Sequence, residues 1–203
     1  MGVPVLIMGE TGSGKTYSLK NFDPAGVGIF SVEKGRLPFK GDFKVVKHAT
    51  YADIGKIFAA PKLKRYVVDD SQYLLVNELF DRAKDAGYQK YTDMALNFRN
   101  LIHAVNHNLP DDVIVYFLHH TEQDNNTGKT KAKTVGRMID QYLTLEGCFD
   151  IVLLTAVEGN QHYFITQSDG YTTAKSPDGM FDALKIPNDL ASVDKSIREY
   201  WNL

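Results

Sequence analysis

The stretch Gly9-Glu10-Thr11-Gly12-Ser13-Gly14-Lys15-Thr16 limits the folds open to this chain more than any other. It fits GxxxxGK[ST], follows the apolar run Val3–Met8 and leads into Tyr17–Phe22, which reads as the opening of a helix. Such a loop cradles phosphate by turning backbone N–H groups inward between a strand and a helix. The strand is apolar throughout, so it needs neighbours on both faces, and that points to an α/β sheet. Lys15 supplies a mobile positive charge for β- and γ-phosphates, and Thr16 offers its hydroxyl to Mg²⁺. The expected contacts of a purine nucleoside triphosphate, ATP with Mg²⁺, are therefore Gly9, Glu10, Thr11, Gly12, Ser13, Gly14, Lys15, Thr16 and the following Tyr17.

Short apolar runs and helix-period segments alternate downstream, as in a sheet rich in parallel strands. Strands are expected at Val27–Val32, Tyr66–Val68, Val113–Leu118, Phe149–Val157 and Gln161–Gln167, the last two joined by a Glu-Gly-Asn turn. Helices are expected at Tyr51–Phe58, Tyr73–Ala86, Tyr91–Asn108 and near Arg137–Tyr142, with a last one capped by Asn188 or Asp189 and ending near Trp201.

Arg65-Tyr66-Val67-Val68-Asp69-Asp70 is a strand ending in two acids. Asp69 is placed to hold Mg²⁺ through water, and Asp70 to orient water or the metal shell. Glu33 ends Val27–Val32, the first strand after the loop. The carboxyl ends of parallel strands converge on a ligand, so Glu33 is a candidate to polarise the attacking water or, alternatively, a solvated turn acid.

With 23 Lys plus Arg against 25 Asp plus Glu, the net charge is −2. Bulk coating of nucleic acid is excluded, and such a partner would need a local basic patch. The single cysteine, Cys148, allows no internal disulfide and suits a reducing cytoplasm. Neither a signal peptide nor a membrane-length apolar stretch is present, so a cytoplasmic protein without a membrane partner is expected.

The order of elements carries a resemblance. The phosphate loop, Gly28-Ile29-Phe30-Ser31-Val32-Glu33-Lys34-Gly35, Val67-Val68-Asp69-Asp70-Ser71, Val113–His120, a polar loop and a hairpin carrying Thr172-Thr173-Ala174-Lys175-Ser176 resemble the RecA-type ATPase core. The chain is more closely similar to small phage-encoded RecA-like ATPases known as single-strand annealing proteins, over about residues 3–185. GETGSGKT also occurs in DEAH-type helicases, but no DEAH box follows it here. The resemblance implies one RecA-like ATPase domain over residues 1–203: a mostly parallel central sheet flanked by helices, a C-terminal antiparallel hairpin, and a closing helix at about 189–201. It implies Glu33 as the water-activating base, Asp69 as the metal-side acid and His120 as the γ-phosphate sensor, where RecA has glutamine. It also implies that Lys175 reaches the γ-phosphate of a neighbouring subunit in a homo-oligomer, and that the loop Thr121–Gly136 contacts single-stranded DNA in a host cytoplasm. A single-strand-binding protein is a further implied partner. The DS signature appears here as Asp69-Asp70-Ser71, which favours annealing or mediation in recombination or replication over strand exchange.

Within that loop, residues 126–134 read NTGKTKAKT. The embedded Gly128-Lys129-Thr130 is not a second phosphate loop, because the required upstream glycine is Gln123. Lys129, Lys131 and Lys133 fall at every second position, so an extended loop would set them on one side to match a phosphate backbone. With Arg137 they outnumber Glu122 and Asp124 between Thr121 and Arg137, four to two. No aromatic residue is available for stacking, so binding without sequence preference is expected. Two alternatives remain: a nucleotide-gated loader or adaptor with slow turnover, and a small-molecule kinase. The kinase is disfavoured because Arg137 is the only arginine between Arg99 and Arg198 to serve a lid.

Overall fold

The structure, a computed structural model, describes residues 1–124 and 127–203. Asn125 and Asn126, part of the loop expected to face DNA, lie outside the described residues.

Strand β1 (Val3–Gly9) forms the centre of a sheet and is flanked by β5 (Ile114–Gln123) and β7 (Ile151–Glu158), both parallel to it. Beyond β5 come β4 (Arg65–Asp69), β2 (Gly28–Ser31) and β3 (Val45–Lys47), again all parallel. On the other side β8 (Gln161–Ile165) and β9 (Lys185–Pro187) continue antiparallel from β7. The path is β3-β2-β4-β5-β1-β7-β8-β9, with β6 (Thr130–Ala132) pairing the far end of β5. The mostly parallel sheet and antiparallel hairpin match the expected fold class.

Alternation along the buried strands divides the core in two. Leu6, Met8, Phe30, Val68, Val115 and Phe117 face α1 (Tyr51–Phe58), α2 (Gln72–Asp81), α3 (Gln89–Asn108) and the short α4 (Arg137–Asp140). Val5, Ile7, Ile29, Val67, Ile114 and Tyr116 face Leu19, Phe22 and α5 (Leu190–Trp201). Helix α5 is capped by Asp189, which accepts from Ala191 N at 2.9 Å. It is fastened to the sheet by the buried Asp194, whose carboxylate accepts from Tyr116 Oη at 3.0 Å and from Arg65 Nε and Arg198 Nε at 2.8 Å each.

Several local expectations change. The helix expected at Tyr17–Phe22 is a six-residue 3₁₀ turn at Thr16–Asn21, closed by Phe22 N donating to Leu19 O. Pro24 stops it there: it disfavours helical geometry at Asp23 and lacks the N–H needed to continue. Strand β5 runs past Leu118 to Gln123 because β6 pairs with its extension, Thr121 opposite Ala132. The segment Tyr171–Ser176 follows the hairpin rather than forming part of it, and Lys175 makes an isolated antiparallel bridge to Val152. Among the described residues no helix is long and apolar enough to cross a membrane.

Candidate phosphate-binding site

The register fixes the site before any side chain is considered. Pairing of β1 with β5 runs from Val3 opposite Ile114 to Gly9 opposite His120. The phosphate loop therefore springs from the same sheet edge at which β5 presents its two histidines and β4 its two acids.

Gly9 has no room for a side chain: a Cβ would overlap the Thr155 hydroxyl and lie 2.5 Å from Ser13 Oγ. Thr155 donates to Met8 O at 3.1 Å, and His162 Nδ1 donates to Ser13 O at 2.9 Å, so strands β7 and β8 brace the loop from the side. Gly14 sits at φ 101°, a backbone conformation that L side chains rarely adopt.

Lys15 is 6% exposed, and its Nζ donates to the carbonyls of Gly9 and Glu10, both at 2.8 Å. Both hydrogen-bond partners are neutral. Burial lowers its pKa from the ordinary lysine value to about 8, against the pull of Asp70 and Asp69. A cation held in a glycine loop by neutral partners fits an anion arriving from solvent. Thr16 Oγ1 donates to Asp69 Oδ1 at 2.8 Å. Burial, and then the neighbouring Asp70 charge, raise the Asp69 carboxyl to about 6. Hydroxyl and carboxylate in contact at the loop form an oxygen donor pair suited to a hard divalent cation.

Asp70 is 3% exposed and adopts φ 59°, the left-handed region. It is held there by His120 Nε2 at 3.2 Å and Lys34 Nζ at 3.6 Å. Burial alone would raise its pKa, but the His120 hydrogen bond and the Lys34 charge outweigh this and carry it below the ordinary aspartate value. His120 packs edge-on against Tyr73.

A cavity of about 250 Å³ opens over the loop, lined by Thr11, Gly12, Gly14, Lys15, Thr16, Tyr17, Lys34, Pro38, Asp70 and His120. Of the sequence-derived candidates, Thr11, Gly12, Gly14, Lys15, Thr16, Tyr17, Asp70 and His120 line it, and Asp69 joins them through its hydrogen bond with Thr16. Glu33, expected as the water-activating base, does not line this cavity. Val32 is buried in the core beneath α1 and α2, and Glu33 lines a separate concavity with His48, Thr50, Asn77, Glu78 and Asp81. The next residue, Lys34, enters the phosphate cavity instead. Lys175 lies along the edge of β7 beside Val152, three residues short of the register position of Thr155, and does not line its own chain's phosphate cavity.

The basic loop is partly built into the sheet. Ala132 N donates to Glu146 Oε1 at 2.8 Å, Thr130 N to Tyr171 O at 2.8 Å, and Lys133 N to His120 O at 2.9 Å. Lys131, expected as a free phosphate contact, pairs with Asp140 at 3.1 Å and Glu122 at 3.3 Å. Lys129, Lys133 and Arg137 are exposed. Sequence reasoning also missed the function of His119. Burial drives its pKa down to about 4, so the ring is neutral; Nε2 donates to Lys133 O at 2.7 Å and Nδ1 accepts from Ser71 Oγ at 2.9 Å.

Fold and loop together define a P-loop α/β domain. No protein-family model and no curated protein matches the chain. Among solved structures it is similar to an ATPase domain, with a TM-score of 0.49 and 15% identity, over 87% of this chain and 78% of that one.

Proposed function

We propose that this chain binds and hydrolyses ATP with Mg²⁺ and couples the nucleotide to binding of single-stranded DNA, in an annealing or mediator role in phage recombination or replication. The observation that carries the reading is the buried Lys15, ringed by carbonyls, beside the Thr16–Asp69 pair. Thr16 and Asp69 would hold Mg²⁺, which when bound supplies charge neutralisation to the phosphates. Lys15 leaves the Gly9 and Glu10 carbonyls to meet the β- and γ-phosphates. Asp70 replaces Glu33 as the group that receives the proton of the attacking water. It lines the cavity with its carboxylate kept ionised and held by His120 Nε2–H, and His120, lining the same cavity, is the residue we assign to sensing the terminal phosphate.

The link to DNA is short. His120 and His119 both hold the backbone of Lys133, so a shift at the phosphate cavity bears directly on the basic hairpin. Lys129, Lys133 and Arg137 are the contacts proposed for a DNA backbone, with Lys131 held in its ion pairs until the hairpin opens. Lys175 can serve a phosphate only in a neighbouring copy of a homo-oligomer. Mixing Lys175→Ala with Lys15→Met chains should then restore part of the activity that neither has alone, and mixed assemblies that stay inactive would remove Lys175 from the account. A nucleotide-gated adaptor with slow turnover is the second reading, favoured by the pairing of Lys131. Fluorescence anisotropy of a labelled single strand separates the two: tighter binding with Mg-ATP than with Mg-ADP supports the first reading, and no binding in either state rejects it.

A further inference from the structure

We propose that Lys34 is a second cation for the terminal phosphate, supplied by the same chain as Lys15, and that it gives the site its preference for a triphosphate over a diphosphate. The inference rests on the ATP reading above and extends it to a residue next to the acid expected from the sequence.

The geometry begins with the end of β2. Val32 N donates to Asp69 O at 3.1 Å, which carries the chain along β4 for one residue beyond the strand. Gly35 N then donates to the buried Ser31 Oγ at 2.8 Å, turning the chain sharply back. That turn sends Glu33 to one side and Lys34 to the other, into the cavity above the phosphate loop. The segment is secured further along, where Pro38 lines the same cavity and Phe39 meets the Tyr17 ring edge-on at 6.3 Å. Lys15 and Lys34 are the two ammonium groups among the lining residues.

The partner of Lys34 shows what it is suited to. Its Nζ lies 3.6 Å from Asp70 Oδ2, a long contact for an ion pair, and its side chain is 62% exposed against 5% for Asp70. A solvated pair of this kind holds its lysine weakly, so the ammonium is free to move to a stronger anion. A terminal phosphate entering the cavity places new negative charge beside the Asp70 carboxylate. Two anions in contact there require a cation between them, and Lys34 is already at that position. A diphosphate held by Lys15 and the loop would leave Lys34 on Asp70.

In hydrolysis the water oxygen bonds to the γ-phosphorus while the bond from that phosphorus to the bridging oxygen breaks. ADP leaves with the electron pair, and the water proton passes to Asp70. Charge on the transferred phosphoryl oxygens is what Lys34 would meet, and a lysine aimed at such oxygens acts in the transition state as well as in binding.

The test uses Lys34→Met and Lys34→Arg in the full chain, with nucleotide affinities measured by calorimetry in EDTA and with Mg²⁺, beside steady-state turnover. Because Lys34 is exposed, both variants should fold, with unchanged thermal melting in the absence of nucleotide. Lys34→Met should bind ADP within about twofold of wild type, lose the preference for ATP in both buffers, and turn over about 100-fold more slowly at saturating ATP. Lys34→Arg, which keeps the charge, should retain the ATP preference and most of the rate. Wild-type rate and wild-type ATP-to-ADP affinity ratio in Lys34→Met would overturn this inference alone. Failure of the wild-type chain to bind ATP would overturn it together with the reading on which it rests.

Discussion

Replacing Lys15 with methionine should make the nucleotide-free protein more stable and the nucleotide-bound protein less so. Lys15 is almost wholly buried, and its pKa falls from 10.5 to about 8 because desolvation outweighs the attraction of Asp70 and Asp69. That fall corresponds to about 3 kcal/mol opposing the charged form in the folded state at neutral pH. The penalty is full below pH 8 and is relieved as pH rises from about 8 toward 10.5, since the unfolded chain binds the proton more tightly. Methionine fills a similar volume without charge, but leaves the Gly9 and Glu10 carbonyls without donors, at about 1 kcal/mol each. The balance is a gain of about 1 kcal/mol, or about 2–4 °C in melting temperature for a domain of this size. With ATP at about 100 times its Kd the wild-type chain gains about 2.7 kcal/mol, and the variant gains almost nothing. The order of the two melting curves should therefore invert on adding nucleotide, read by calorimetry or fluorescence at pH 7. A variant that melts below wild type without nucleotide would show the carbonyl pairs to be a net stabilising clasp. A variant with the full ATP shift would show that Lys15 does not meet the phosphates.

Asp69→Asn should also stabilise the nucleotide-free chain at pH 7. The folded-state pKa of about 6 lies above the ordinary carboxyl value, so this group's contribution is present below about pH 4 and is lost as pH rises through 6. Denaturant melts at pH 4 and pH 7 should show the variant's advantage only at the higher pH, and an equal difference at both would remove the proposed cause. Asp194→Ala should destabilise by about 3–5 kcal/mol, because it strands Arg65, Arg198 and the Tyr116 hydroxyl at the base of α5; a change under about 1 kcal/mol in urea unfolding would contradict this. Lys129→Ala with Lys133→Ala should leave ATP affinity intact and flatten the log–log salt dependence of single-strand binding by about 1.4, at about 0.7 per phosphate contact. An unchanged slope would place the DNA on another surface.

The phosphate loop was legible because its chemistry is local. Eight consecutive residues between two recognisable elements specify the backbone turn, and β1 and β5 bring the rest to it. Asp69 and Asp70 were legible for a similar reason, as the end of a short apolar strand. Glu33 was not, because which of two adjacent side chains enters the cavity depends on the residue at which β2 stops and on the Gly35–Ser31 hydrogen bond. Neither is written in the apolar pattern, and the one-residue difference exchanges an acid for a lysine. The pairing of Lys131 was hidden likewise, since Asp140 reaches it from α4 and no spacing rule covers that contact. Strands β3, β6 and β9 have three residues each, too short for a period to show, and all three owe their conformation to the strands beside them.

In the proposed function this site turns over ATP and the basic hairpin makes the turnover answer to single-stranded DNA. Steady-state phosphate release, measured with Mg-ATP alone, with an unstructured single strand and with duplex of the same length, tests it directly. The expected outcome is a slow basal rate that Lys15→Met abolishes, a several-fold rise with the single strand and little or none with duplex. No Lys15-dependent phosphate release under any of the three conditions would contradict the enzymatic claim, and an equal rate in all three would contradict the coupling to DNA.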